Sequence, residues 1–282
     1  MKSIKLPNAF VILLCFVHSF LLQSQNLEET FKLGKEQYAL GRFQSSELAL
    51  ERVLFFGNGL HQVECLGLIG DMRMQQGLTK EAVSYYSRAA KASAIYEEQV
   101  WFILRKTSGL LASRNSKLAM IDLLGITENI SDTLLRYRNF LLGVAQFQEL
   151  DFSASKIAFL GALPDSAIVA RNQVDSLFQV LEKIKHPNPR TARILSICLP
   201  GLGQFYAGDI KNGINSFLLT GAFLALGIHT AVKYTLVDAF GSVLPWFQRY
   251  YMGGFSRAER IAEDRLREKQ NKIFSSLVHL YD

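Results

Sequence analysis

The residues of this chain that could do chemistry are few and scattered. Its five histidines, His18, His61, His186, His229 and His279, lie far apart. None has a second histidine or a carboxylate at ligand spacing on a helix, so no metal site is expected. Among three cysteines, Cys15 lies in an N-terminal apolar run, and Cys65 and Cys198 fall in different regions with neither metal nor disulfide spacing. Cys65-Leu66-Gly67 reads as helix packing rather than a nucleophile motif. No acid, base and nucleophile come together, so the chain reads as non-enzymatic, with no catalytic residue, cofactor or metal.

One stretch stands apart: Leu199-Pro200-Gly201-Leu202-Gly203-Gln204-Phe205-Tyr206-Ala207-Gly208. Pro and Gly permit a sharp turn and close backbone approach, and Phe205 and Tyr206 suit a membrane–water interface. Two readings stay open. The glycine-rich backbone could cradle an anion, with Gln204 and Tyr206 bonding a headgroup, or the stretch is a packing turn at the head of a helical hairpin. It is no phosphate-binding P-loop, because no Lys-Ser/Thr follows the glycines.

Charge narrows the partners. The net charge of +6 divides unevenly along the 282 residues. Residues 1–24 carry Lys2 and Lys5, residues 25–185 carry 18 basic and 18 acidic groups, and residues 186–282 carry 11 basic and 7 acidic. The excess sits beside apolar segments, where it sets topology or meets anionic lipid. No basic face is clustered, so nucleic acid is not an expected partner.

The elements that position these residues follow from patterning. Residues 1–24 have the form of a signal peptide: Lys2 and Lys5, the apolar run Ala9–Leu22, and a small residue before Gln25. Between residues 8 and 163 there is no proline, and the apolar period is helical. Leu33-Gly34, Tyr38, Gly41, Phe43, Ser46, Leu50 and Val53 form one frame. Ile69-Gly70, Gly77, Ala82, Tyr86 and Ala89 form another, shifted by 36 residues. Leu142-Gly143, Phe147, Phe152, Ser155, Phe159 and Ala162 give a later copy. A middle copy opening at Trp101 and Leu104 would place Arg105 and Lys117 at its small positions.

These frames resemble the tetratricopeptide repeat over about residues 27–164. The resemblance implies helical hairpins in which Gly34, Gly41, Gly70, Gly77, Ala82, Gly143 and Ala162 serve repeat packing, and a domain that binds protein partners. An irregular helical bundle is the alternative. A closing helix is expected over Ser166–Lys185, which makes residues 25–185 the repeat domain. His186-Pro187-Asn188-Pro189 cannot continue it, and residues 186–190 read as a linker.

Residues 191–254 read as a membrane domain. Gly213–Val232 is a 20-residue uncharged run long enough to span a bilayer. Gly221 with Ala225, and Gly227 with Ala231, offer close helix approach. Tyr234–Met252 is a weaker span or re-entrant arm; its Asp238 could pair with His229 across the hairpin, or His229 stands in water near the interface. Residues 255–282 form a charged amphipathic helix, suited to a membrane surface, to packing on the repeats, or to plain solvation.

The pattern Pro200, Gly201, Gly203, Gln204, Tyr206, Gly208, with Gly213 downstream, resembles a family of small bacterial two-helix membrane domains. That resemblance covers about residues 187–255 and carries no established chemistry. The expected fold is therefore all-α: a tetratricopeptide-like solenoid, a transmembrane helical hairpin, and a C-terminal amphipathic helix. The expected function is that of a membrane-anchored adaptor or scaffold in the bacterial cell envelope. It would lie in the inner membrane with its repeats in the periplasm, and its partners would be envelope proteins and membrane lipid. The alternative is that the membrane domain is the active part, handling lipid or ions or assisting membrane-protein insertion.

Overall fold

The computed structural model describes residues 26–127 and 129–281, so the expected signal segment, residues 1–24, lies outside the described residues. Every regular element among the described residues is an α-helix, and the chain divides into two compact units, residues 1–164 and 165–282.

The described residues of the first unit form four helix pairs. These are α1 (Leu27–Ala39) with α2 (Phe43–Phe56), α3 (Gln62–Gln75) with α4 (Thr79–Ala92), α5 (Tyr96–Ala112) with α6 (Ser116–Leu124), and α7 (Asp132–Gln148) with α8 (Phe152–Ala162). A Cβ on Gly34 would come 2.8 Å from Leu50, one on Gly70 2.6 Å from Tyr86, and one on Gly143 3.0 Å from Phe159. The large residue follows the glycine by the same interval each time. Ser46 Oγ donates to the Gly34 carbonyl and Ser155 Oγ to the Gly143 carbonyl, each at 2.8 Å. Ala82 takes that place in the second pair and is fully buried, and Ala162 is buried at the end of the fourth.

In the third pair the same intervals fall on Thr107, Ala119 and Leu123, all fully buried. The sequence frame had set Arg105 and Lys117 at these small positions; the observed frame runs two residues later. Thr107 fits because its hydroxyl turns back onto its own helix, donating to Ile103 O at 2.7 Å. Arg105 instead pairs with Asp71 and covers the rings of Tyr86 and Trp101.

Each first helix ends in the same way. Gly41, Gly77, Arg114 and Leu150 have φ of 71°, 75°, 58° and 64°. After each comes the long closing bond of a Schellman turn: Arg42 N to Gln37 O, Leu78 N to Arg73 O, Asn115 N to Leu110 O and Asp151 N to Gln146 O, at 2.8–3.0 Å. Gly41 and Gly77, expected as packing residues, have open space where a Cβ would stand. Their role is the left-handed turn, not close approach.

The second unit contains α9 (Ile168–Lys183), α10 (Pro189–Cys198), α11 (Leu202–Tyr206), α12 (Ile210–Lys233), α13 (Leu236–Ser242) and α14 (Leu244–Val278). Helix α9, expected to close the repeats, belongs to this unit and packs on α14, burying Val174, Phe178 and Leu181. The expected second span and the C-terminal helix are also revised. Thr235 caps a short α13, and Pro245 in its first turn opens the 35-residue α14, which runs unbroken through Gly253-Gly254. No boundary falls at residue 255, because nothing there interrupts the helical hydrogen bonding.

Helix α12 is the one helix among the described residues long and apolar enough to cross a membrane. It has 24 residues, a best-window mean hydropathy of 1.4, and only 6% of that window buried. At 1.5 Å per residue it is about 36 Å long, against a hydrocarbon core of about 30 Å.

Candidate functional site

The Pro200 turn is built from backbone contacts. Asn188 caps α10 by accepting from Thr191 N at 3.1 Å, with Pro189 in the first turn. Leu199 is extended (φ −142°, ψ 115°), as a residue before proline must be. Leu202 N donates to Leu199 O at 3.0 Å and Gly201 has φ 92°, which makes Leu199–Leu202 a type II turn with Pro and Gly at its two central positions. A Cβ on Gly201 would overlap the Gly213 carbonyl oxygen, and one on Gly203 the Ala192 carbonyl oxygen. A Cβ on Gly213 would come 2.7 Å from the Phe205 ring. Gly208 (φ 82°) ends α11 in the same Schellman geometry as the first unit, with Asp209 N bonding Gln204 O at 2.8 Å.

The polar groups of the turn are engaged within the protein. Gln204 is fully buried; its Oε1 accepts from Ser196 Oγ and its Nε2 donates to Gly254 O, both at 2.8 Å. Gly203 N donates to Ser196 Oγ at 3.0 Å. Tyr206 OH accepts from Asn188 N at 3.1 Å and lies 3.0 Å from His186 Nδ1. The motif therefore joins α10, α11, α12 and α14, which is the packing turn of the two readings, with the polar groups of Gln204 and Tyr206 spent on protein partners. Likewise Asp238 bonds Thr235 on its own helix, at 2.6 Å, rather than His229.

Beside the turn, facing stretches of α12 and α14 enclose a cleft of about 280 Å³. Helix α12 contributes Asn212, Ser216 and Thr220, and α14 contributes Arg249, Arg257 and Arg260. These fall at i, i+4, i+8 on one helix and i, i+8, i+11 on the other, so each set shares a face. Gly253 and Gly254 leave the middle of the α14 wall without side chains. No Asp or Glu lines this cleft. Asp209, which caps α12, is held below the usual carboxylate range chiefly by hydrogen bonds from Asn212, with help from Arg257 and Arg265. Further along the same seam lies an apolar groove of about 270 Å³, lined by Phe223, Gly227, Val243 and Phe247 among others. The Phe223 and Tyr250 rings stack at 5.0 Å where the two meet.

In the first unit, buried Asp71 and Tyr86 and half-buried Arg105 form a network across α3, α4 and α5. Tyr86 OH donates to Asp71 Oδ1 at 2.7 Å, and Arg105 pairs with the same carboxylate. Burial raises the Asp71 pKa above the usual carboxylate range, against the pull of Tyr86 and Arg105. Burial also pushes the Cys65 thiol up to about 12, so it is an inert core group.

Sequence reasoning missed the contacts of His186 with Tyr206 and of His61 with two glutamates. His61 Nε2 lies 2.7 Å from Glu28 Oε2 and Nδ1 3.0 Å from Glu64 Oε2, while its ring stacks on Phe31 at 3.9 Å. The His61–Glu64 spacing was visible, but Glu28 is brought in only by the fold. Chemically, this arrangement ties α1 to the head of α3.

No family model, curated protein or solved structure matches this chain.

Proposed function

We propose that the protein is a non-enzymatic, membrane-anchored adaptor of the bacterial cell envelope. The observation that carries this reading is the coupling, on one chain, of four helix pairs sharing one internal frame with an exposed apolar 24-residue helix. The shared frame supports a tetratricopeptide-like array, an architecture whose extended surfaces bind protein segments. The apolar helix supports anchoring, with α12 and the first part of α14 as a membrane hairpin. The signal-like N-terminus supports export of the array to the periplasmic face of the inner membrane. A second reading, in which the membrane unit itself handles lipid, is favoured by the arginine-lined cleft.

The test is site-specific photocrosslinking in cells with the full chain. Ile121 and Ile157 are exposed aliphatic residues at the same frame position on α6 and α8. A photoreactive residue there should yield a discrete protein adduct in the membrane fraction. Crosslinking to protein only from the second unit, at Leu218 for example, would reject the adaptor reading.

A further inference from the structure

We propose that the cleft between α12 and α14 binds the phosphate of an anionic phospholipid, with an acyl chain lying in the adjoining apolar groove. The lipid source rests on the membrane reading of α12; the anion site does not.

Three observations converge. The first is charge: Arg249, Arg257 and Arg260 face the cleft with no acidic residue in its lining. Guanidinium groups are the preferred partners of phosphate oxygens. An arginine beside an apolar span is costly unless it meets an anion or reaches the interface.

The second is an unmet hydrogen-bonding demand. Thr220 is 3% exposed, lines the cleft, and its Oγ1 has no partner; Ser216 Oγ, one turn earlier, has none either. A helical threonine ordinarily bonds back to its own helix, as Thr230 Oγ1 does to Leu226 O at 2.9 Å further along α12. A buried hydroxyl without a partner has lost its hydration and gained nothing in return. A phosphate oxygen accepting from Ser216 and Thr220 would supply that partner.

The third is shape. The polar cleft and the apolar groove share one seam, and the polar part adjoins the first turns of α12, near the end of the span. Gly253 leaves open space in the cleft wall where any side chain would stand. A headgroup above a chain fits this order; a free anion would use only the first part.

The full chain in an uncharged detergent is titrated calorimetrically with dihexanoyl phosphatidylglycerol, dihexanoyl phosphatidylcholine and sodium phosphate. The expected result is saturable binding of the glycerol lipid, weaker binding of phosphate, and little of the choline lipid. Arg249→Gln with Arg257→Gln should weaken binding about tenfold or more. Gly253→Leu, which fills the cleft at an exposed position, should abolish it with helix content unchanged. Lys272→Gln, elsewhere on α14, should leave it intact.

Phosphate binding as tightly as the glycerol lipid would keep the anion site and overturn the lipid. Equal binding of the choline lipid, persistence in the arginine or Gly253→Leu variants, or no saturable binding would overturn the proposal. Alkaline extraction of cell membranes separates the premises. A chain released by alkali that still binds phosphate fails the membrane reading alone, and a chain that stays embedded but binds no anion fails this inference alone.

Discussion

Arg114 and Leu150 occupy, at φ 58° and 64°, the turn position that the first two pairs fill with Gly41 and Gly77. Left-handed backbone costs an L-residue about 1–2 kcal/mol, and both side chains are exposed. Arg114→Gly and Leu150→Gly should each raise stability by about 1 kcal/mol, read by denaturant unfolding of the full chain. No gain at either site would mean that their side chains make compensating contacts. At Gly70 the constraint is space, not angle. Gly70→Leu drives into the Tyr86 ring and should destabilise by about 1–3 kcal/mol, whereas Gly41→Asn should cost far less, because asparagine tolerates the left-handed region and nothing crowds the site. The same distinction explains what was legible. A glycine followed at fixed distance by a large residue is visible in a sequence. The third pair keeps the geometry with Thr107, Arg114, Ala119 and Leu123, and no letter pattern announces that an arginine is taking a glycine's dihedral angle.

At the scale of elements, His61 links the start of α1 to the head of α3 and supplies the clearest pH dependence. The hydrogen bond that His61 donates to Glu28 is the main reason its pKa is raised, with Glu64 adding to it. A histidine whose folded pKa lies above its unfolded value of about 6.5 stabilises fully below that value. The contribution disappears as pH rises through the folded pKa. Thermal unfolding should therefore occur at lower temperature at pH 8.5 than at pH 6, and His61→Gln should flatten that difference. An unchanged slope in the variant would remove His61 from the account. In the second unit, the close packing of α10 on α14 depends on Ala192, Ala258 and Ala262, all fully buried. Gly203→Ala, which meets the Ala192 carbonyl, should displace α11 and lower stability by about 1–3 kcal/mol. The apolar run of α12 was readable from hydropathy alone. The fusion of the second arm with the C-terminal helix was not, because the change from apolar to charged residues after residue 254 reads as a boundary. Hydrogen bonding continues unbroken along the helix through that point, where Gln204 bonds the Gly254 carbonyl.

For the whole molecule, the open question is how the second unit meets a bilayer. A third crossing by residues 191–207 would reconcile the basic flanks with the preference for positive charge on the cytoplasmic side. The geometry argues against it. Tyr206 OH bonds Asn188 N at 3.1 Å, so the chain doubles back between residues 188 and 206. A crossing of that length would instead carry its ends about 25 Å apart. Helices α12 and α14 run antiparallel: Ser216 lies against Gly254, Phe223 against Tyr250 and Gly227 against Val243. Lys211 and the charged end of α14 therefore share a side. Under the proposed export of the first unit, these basic residues meet lipid headgroups rather than act as topology signals, which is also what the arginine-lined cleft would provide. Cysteines introduced at Lys211 and Lys272, both exposed, with Cys15, Cys65 and Cys198 replaced by serine, test this with a membrane-impermeant thiol reagent. Labelling of both in intact cells with a permeabilised outer layer is the expected result. Labelling of one alone would break the antiparallel hairpin. Protection of both until lysis would put the basic flanks, and the first unit with them, on the cytoplasmic side.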